Sequence, residues 1–181
     1  FEGRGQLVIY HAMFYPDTAG PNTPWTAAAA CYVCSFWMDN FNGVTIHLNH
    51  RDITMAAVSR APYPKIAAYK QRMGWKFPYI SSYESDFNFD FDASFTQEQM
   101  ATGELKKSVD EAEDWLKDWA DNVGTDLARG MAESPRWNVF KLEDGVVYHT
   151  YSRTAPDRFL LAPFYYQLLD QVHDGRDADF P

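Results

Sequence analysis

Two short apolar segments, each followed by a helical pattern, constrain the fold of this chain more than any other feature. The segments are Gln6–Phe14 and Ile53–Val58, and their β-branched and aromatic residues are typical of buried strands. Apolar residues at helical spacing predict one helix over Trp37–Leu48 and another over Ile66–Met73 that ends at Gly74. The order strand, helix, strand, helix predicts a parallel sheet with right-handed crossovers, and therefore an α/β fold.

Patterns elsewhere in the chain predict further elements. Phe77–Ser82 is either a short strand or an extended loop, and Asp86–Phe95 alternates aromatic and polar residues, as an extended segment packed on the core would. Two apolar runs flank Glu143–Gly145, which predicts a β-hairpin. A last helix is expected over Pro163–Val172, because proline suits a first helical turn and apolar residues recur behind it.

An acidic segment from Thr96 to Ser134 differs in character from the rest of the chain. Capping boxes are predicted at Thr96–Gln99 and at Ser108–Glu111, where a hydroxyl residue precedes Gln or Glu by three positions. Apolar residues form one helical stripe between Val109 and Val123, and the acidic residues lie mostly away from it. With 181 residues in the chain, we expect one domain over residues 1–181 that carries residues 96–134 as a helical insertion.

Composition excludes several classes of partner. The chain has 16 Lys and Arg against 25 Asp and Glu, a formal net charge of −9, which argues against nucleic acid or an anionic membrane as a partner. No apolar run approaches the roughly 20 residues that a membrane-spanning helix needs. We therefore expect a cytoplasmic protein. The first residue is Phe1 rather than Met, so a targeting signal cannot be judged from this end.

The two cysteines of the chain, Cys31 and Cys34, stand three residues apart between the first predicted strand and the first predicted helix. Unpaired N–H groups at a helix start stabilise an anion, so we expect a lowered pKa at Cys31. Its thiolate can attack a disulfide, and Cys34, one helical turn later, can then resolve the mixed disulfide. This pattern is a redox signature, and the reaction requires no bound organic cofactor.

Two other interpretations of the cysteine pair stay open. Both thiols can be inert, buried groups that act as small hydrophobic side chains. Alternatively, Cys31, Cys34, His47 and His50 approach a zinc-finger spacing, although the last interval is one residue short. A continuous helix would carry His47 about 20 Å from the cysteines, at about 1.5 Å per residue, which favours surface positions for both histidines. Neither a hydrolase nucleophile elbow nor a nucleotide-binding glycine motif occurs.

The chain resembles an uncharacterised bacterial family, domain-of-unknown-function family 899, which is related to the thioredoxin and peroxiredoxin groups. The matching stretches run nearly end to end: Gly3–Phe14, Cys34–Phe41, Val58–Pro62, Tyr69–Pro78, Ser82–Phe89, His149–Ser152 and Gly175–Asp177. The resemblance implies a thioredoxin-like three-layer sandwich, with a central mixed sheet flanked by helices. The family's cysteine motif is similar to C-P-x-C-S, and Tyr32 departs from it. The peroxiredoxin-type motif Pro-x-x-x-Thr-x-x-Cys is only half kept. Pro24 stands seven residues before Cys31, as the motif requires, but Ala28 occupies the position of the threonine.

The resemblance also implies a substrate groove beside the cysteines. Pro135 corresponds to the cis-proline of thioredoxin-like folds, which leaves backbone groups free to bind an extended substrate. Arg136, next to it, is positioned to stabilise a Cys31 thiolate, and Trp37 is interpreted as a core residue or a groove wall. The expected partner is a disulfide-bearing protein or a small thiol or peroxide. We also expect a homodimer. His11 is expected to lie in the core, and Asp39 is expected on the surface of a helix.

Overall fold

The computed structural model describes residues 1–16, 30–123 and 125–154. The strands within these residues are β1 (Gln6–His11), β2 (Ile53–Ser59), β3 (Tyr79–Ser81), β4 (Arg136–Glu143) and β5 (Val146–Thr154). The helices of the described part are α1 (Tyr32–Met38), α2 (Phe41–Asn49), α3 (Tyr63–Met73), α4 (Phe87–Asp90), α5 (Gln97–Met100), α6 (Gly103–Asp110), α7 (Asp114–Val123) and α8 (Leu127–Met131). The expected helix over Pro163–Val172 and the Pro24 and Ala28 positions lie outside the described residues. So does Gly124, which the sequence suggests as the end of the helical stripe that runs to Val123.

The strands form one mixed sheet in the order β3-β2-β1-β4-β5. β1 and β2 run parallel, as do β2 and β3, while β4 is antiparallel to both β1 and β5. The parallel part confirms the prediction from the strand-helix-strand-helix order. The predicted hairpin is present as well, and Gly145 at its turn has a φ of 80°, which glycine adopts without strain.

Alternation along β1 divides the core between the two faces of the sheet. Tyr10 faces the larger cluster, which contains both cysteines and residues of α1, α2 and α3. Ile9 and His11 face the other side, where Phe87 and Phe91 cover the sheet. Helical segments therefore pack on both faces of a mixed sheet, which is the thioredoxin-like architecture that the family resemblance implies.

Three local predictions were wrong. The helix expected over Trp37–Leu48 is two helices, because the chain turns at Asp39 and Asn40. The aromatic segment is not extended: α4 and the turn after it place Phe87 and Phe91, four residues apart, beside each other at 4.9 Å between ring centroids. Ser108 caps no helix, since it lies inside α6 and its hydroxyl donates to the carbonyl of Glu104 at 2.9 Å.

Other local predictions were confirmed. Thr96 and Gln99 form the predicted capping box at the start of α5. Helix α3 ends at Gly74, which adopts a left-handed φ of 70°. The acidic segment is helical through α5, α6, α7 and α8, and Arg60 reaches it from the end of β2 through an ion pair with Glu133. Among the described residues, no helix is both long enough and apolar enough to cross a membrane.

Candidate active site

The end of β1 positions the two cysteines. The backbone N–H of Cys31 donates to the Met13 carbonyl at 2.9 Å, which fixes the start of α1 against the chain that leaves the strand. Cys31 is the residue that precedes the first turn of α1, and no side chain caps this helix. Cys34 lies within that turn. The structure thus places both thiols at the strand-helix junction predicted from the sequence.

The two thiols differ in acidity. The pKa of Cys31 is lowered chiefly by a hydrogen bond from the Cys34 thiol, and further by the backbone N–H groups of Val33 and Cys34, against the opposing effect of burial. Burial and the neighbouring Cys31 raise the pKa of Cys34 well above the ordinary value. α1 has only seven residues, so we attribute the acidity of Cys31 to these local donors rather than to a long helix dipole. Cys31 is the group that ionises first.

Two donors face the Cys34 sulfur from β1 and the residues that follow it. The Met13 N–H points to Sγ of Cys34 at 3.5 Å. The Tyr10 hydroxyl stands close enough to the same sulfur to lower the pKa of Cys34, and its own pKa is raised by burial and by the Cys34 charge. No sequence motif singles out Tyr10, although it lies on the strand face that the alternation of β1 directs toward the cysteines.

Hydroxyl groups hold together the elements that carry the pair, without contact to either sulfur in these hydrogen bonds. The Ser35 hydroxyl donates to the Cys31 carbonyl at 2.9 Å and is 2.9 Å from the Tyr69 hydroxyl. The Tyr79 hydroxyl is 2.8 Å from the Ser59 hydroxyl, which donates to the Ala12 carbonyl at 2.5 Å. These bonds tie the cysteine helix to α3, and β3 to the end of β1.

Both cysteines are buried: Cys31 is 3% exposed and Cys34 is 1% exposed. Trp37 is 3% exposed and belongs to the same cluster, so it is a core residue and forms no wall of a surface groove. Tyr32, between the cysteines, is exposed instead. Access to the sulfurs therefore requires a small reactant or a local opening of the chain.

Pro135 and Arg136 lie in different positions relative to the cysteines. Arg136 pairs with His11 in the sheet, so Pro135 precedes β4 at the end of the sheet where the cysteines lie. The expected cis bond was wrong, since no peptide bond in the described residues is cis. Arg136 lies on the opposite face of β4 from Trp137, which packs against the cysteine cluster, and its Nε donates to the Asp92 carbonyl at 2.9 Å. Its expected role toward Cys31 was therefore wrong.

The histidines do not join the cysteines. His47 and His50 are exposed on α2 and just after it, and within the described ranges no three His, Cys, Asp or Glu residues are grouped as metal ligands. His11 is a buried core residue, as predicted, and its Nε2 accepts from Nδ2 of Asn138 at 3.0 Å. Asp39 lies on the surface, where it accepts from the Trp75 indole at 2.7 Å.

A cavity of about 440 Å³ opens at the same end of the sheet and is lined in part by Tyr15, Arg60, Met100 and Arg129. The Tyr15 hydroxyl donates to the carbonyls of Arg129 and Gly130 at 2.6 and 3.0 Å. Burial raises the pKa of Tyr15 well above its ordinary value, and the negative charges of Glu133 and Cys31 contribute to that rise. Tyr15, in the cavity wall, is therefore close enough to Cys31 to interact with it electrostatically, although neither cysteine is among the described lining residues.

A five-stranded mixed sheet flanked by helices, with a Cys-x-x-Cys pair at the helix after the first strand, defines a thioredoxin-like α/β protein. The chain belongs to the family described as "Bacterial protein of unknown function (DUF899)", whose model matches residues 1–181. A search of curated proteins found no match.

Solved structures show the same fold. The chain is similar to a cysteine-to-serine mutant of Xanthomonas campestris peroxiredoxin Q, with a TM-score of 0.51 and 12% identity over 93% of this chain and 80% of that one. Another structure of the same peroxiredoxin gives 0.51 and 13% over 94% and 80%. The bacterioferritin comigratory protein of X. campestris, whose structure was described with its alkyl peroxide reduction activity, gives 0.51 and 12% over 92% and 80%.

Proposed function

We propose that the protein is a thiol-disulfide oxidoreductase in which Cys31 is the nucleophile and Cys34 the resolving thiol. The observation that carries this proposal is the position of the two thiols at the start of α1: Cys31 precedes the first turn, and Cys34, within that turn, faces the Met13 N–H at 3.5 Å. The lowered pKa of Cys31 and the raised pKa of Cys34 agree with these two roles. A nucleophile must be a thiolate, whereas a resolving group must keep its proton until the mixed disulfide has formed. The Cys34 thiol serves both requirements. Its hydrogen bond stabilises the Cys31 thiolate, and burial keeps Cys34 itself protonated until the mixed disulfide has formed.

The reaction balances with one substrate and no bound cofactor. The Cys31 thiolate attacks one sulfur of a disulfide, forms a mixed disulfide and releases the other sulfur as a thiolate, which takes a proton. Cys34 then loses its proton and attacks the Cys31 sulfur, which breaks the mixed disulfide and releases the second substrate thiol. The substrate gains two electrons and two protons, and the protein is left with a Cys31–Cys34 disulfide. An external dithiol returns it to the reduced state.

Burial supports a small substrate rather than a folded protein. Cys31 is 3% exposed, and the cavity beside Tyr15 offers about 440 Å³ near it, enough for a small organic molecule. A small disulfide or an organic hydroperoxide fits this space. With a hydroperoxide, Cys31 takes one oxygen as a sulfenic acid and an alcohol leaves, after which Cys34 closes the disulfide and releases water.

Cysteine variants test the proposal directly. The reduced protein, C31S and C34S are each mixed with a small disulfide, and separately with an organic hydroperoxide, and their masses are followed. We expect the wild type to lose two hydrogen atoms, C34S to stop as a mixed disulfide or sulfenic acid at Cys31, and C31S to react far more slowly. Reaction of C31S at the wild-type rate would contradict the assignment.

A second function is favoured by the same burial. A protein that kept the fold as a binding module would hold two inert thiols, and the low exposure of Cys31 and Cys34 is what such a protein would show. Labelling with a thiol reagent at neutral pH separates the two functions. A redox protein labels at Cys31 while folded, whereas a binding module labels only after unfolding in denaturant.

A further inference from the structure

We propose that Tyr10 is a catalytic residue of the resolving step, whose hydroxyl donates a hydrogen bond to the Cys34 sulfur as that sulfur becomes a thiolate. This inference rests on the function proposed above. It assigns a residue to the second half of the reaction, in which a buried thiol must lose its proton before it can attack the mixed disulfide at Cys31.

The position of Tyr10 is fixed by its neighbours. Its side chain is 0% exposed, and its ring packs against Trp137, Phe41 and Trp37 at centroid distances of 4.8, 5.6 and 6.2 Å. These rings leave the hydroxyl little freedom to turn away from the cysteine cluster. A donor held in place before the charge appears stabilises that charge without reorganisation.

The hydroxyl of Tyr10 lacks an ordinary hydrogen-bond partner within the part of the chain that the structure describes. A buried hydroxyl without a partner is unfavourable, and proteins rarely retain one without a reason. The nearby Cys34 thiol is a weak acceptor, but its thiolate is a strong one. The Tyr10 hydroxyl therefore gains a strong hydrogen-bond acceptor when Cys34 becomes a thiolate in the resolving step.

Two other buried tyrosines of the described residues, Tyr69 and Tyr79, differ from Tyr10 because their hydroxyls already have partners. The Tyr79 hydroxyl is 2.8 Å from the hydroxyl of Ser59, and the Tyr69 hydroxyl is 2.9 Å from that of Ser35. Both are satisfied by hydroxyl partners before any reaction. The Met13 N–H, at 3.5 Å from the Cys34 sulfur, is a second donor but a long one.

The proton balance of the step follows from these contacts. Cys34 gives its proton to solvent, its thiolate attacks the Cys31 sulfur, and the departing substrate thiolate takes up a proton. Tyr10 keeps its own proton throughout, because burial and the Cys34 charge both raise its pKa. It stabilises charge and transfers no proton.

Single-turnover kinetics with the aromatic disulfide 5,5′-dithiobis(2-nitrobenzoate) test the inference, since each half of the reaction releases one coloured thiolate. Tyr10→Phe removes only the hydroxyl. We expect the first phase, attack by Cys31, to be unchanged and the second phase to slow roughly ten- to a hundredfold, as loss of a hydrogen bond to a charged group implies. The pH midpoint of the second phase should also rise, which a merely structural role would not cause.

The matched control is Tyr79→Phe, which removes a buried hydroxyl that already has a partner and should leave both phases unchanged. A Tyr10→Phe second phase equal to that of the wild type, with the same midpoint, overturns the inference. If Tyr10→Phe does not fold, a ring-fluorinated tyrosine at position 10 donates more strongly and should speed the second phase; an unchanged or slower phase overturns it. If C31S keeps the first phase, the proposed function itself fails.

Discussion

Glu133 gives the stability of this protein an unusual pH dependence. Its side chain is buried, Oε1 accepts from Arg60 at 3.0 Å and Oε2 accepts from the Ser94 hydroxyl at 2.8 Å. Burial raises its pKa from 4.5 to about 7, although Arg60 and Ser94 both act in the opposite direction. Tyr15 faces the same group, and its pKa rises in part through the Glu133 charge.

The sign and size of the effect follow from the two pKa values. Between pH 4.5 and about 7 the unfolded chain has lost this proton and the folded chain has kept it, so stability falls as pH rises. Each pH unit across that interval is worth about 1.4 kcal/mol, so Glu133 removes about 3 kcal/mol of unfolding free energy between its two limits. Glu133→Gln abolishes this titration while it preserves the shape of the side chain.

Urea unfolding at closely spaced pH values from 4 to 8 measures the effect. We expect the unfolding free energy of Glu133→Gln, relative to the wild type, to rise by about 3 kcal/mol from the acid to the alkaline limit. Glu104→Gln, which removes an exposed carboxyl group from α6, is the control for loss of a charge in the same helical segment. A constant difference between Glu133→Gln and the wild type across this range would refute the reasoning.

Two further predictions concern stability. Burial lowers the pKa of His11 from 6.5 to about 4, so His11 contributes stability above pH 6.5 that is lost as pH falls through 4. In the same assay, we expect His11→Gln to lose about 3 kcal/mol less unfolding free energy than the wild type over that range. Gly130→Ala would place Cβ 2.6 Å from the Trp119 ring and should cost about 1–3 kcal/mol in urea unfolding, whereas Gly43→Ala, with open space around it, should gain about 0.5–1 kcal/mol. A neutral Gly130→Ala, or Gly43→Ala as the worse of the two, would contradict the packing argument.

Strong local signals made much of the fold predictable. β1 and β2 carry runs of buried apolar residues, and Gly74 ends α3 in a left-handed conformation that few other residues adopt easily. The sequence could not show where α1 ends, because the apolar spacing continues through the turn at Asp39 and Asn40 into α2. A periodic pattern reports which residues face the core, and two consecutive helices on one face produce the same pattern as a single helix.

The aromatic segment shows why alternation can mislead. Phe87, Phe89 and Phe91 alternate with polar residues, as in a strand, yet the backbone is helical over α4. Phe87 and Phe91 pack beside His11, while Phe89 lies under the Arg60 guanidinium, 4.4 Å from its ring centroid. Phe87 and Phe91 share a face in either conformation, but a strand, at about 3.3 Å per residue, would hold them about 13 Å apart, and the helical turn brings their ring centroids to 4.9 Å. The contact of Phe89 with Arg60 depends on tertiary structure.

The cysteine pair could be located from the sequence, but the groups that act on it could not. Cys31 and Cys34 were placed correctly because their spacing and the preceding strand are local features. Arg136 was expected near Cys31 because it follows Pro135 in the sequence, but strand alternation places it on the opposite face of β4. Nearness along a strand predicts the same face only for residues separated by an even number of positions.

The same alternation explains how one strand serves two sets of titrating groups. Tyr10 and His11 are adjacent on β1, so one faces the cysteines and the other faces Asn138 on the far side of the sheet. Burial keeps both uncharged near neutral pH, but for opposite reasons: it holds the proton on the tyrosine and keeps one off the histidine. The redox chemistry of Cys34 should therefore depend on Tyr10 and the acid stability on His11. A Tyr10→Phe variant with an altered resolving step should keep the acid-side stability profile of the wild type, and a variant that changes both would mean that the two faces are coupled through β1.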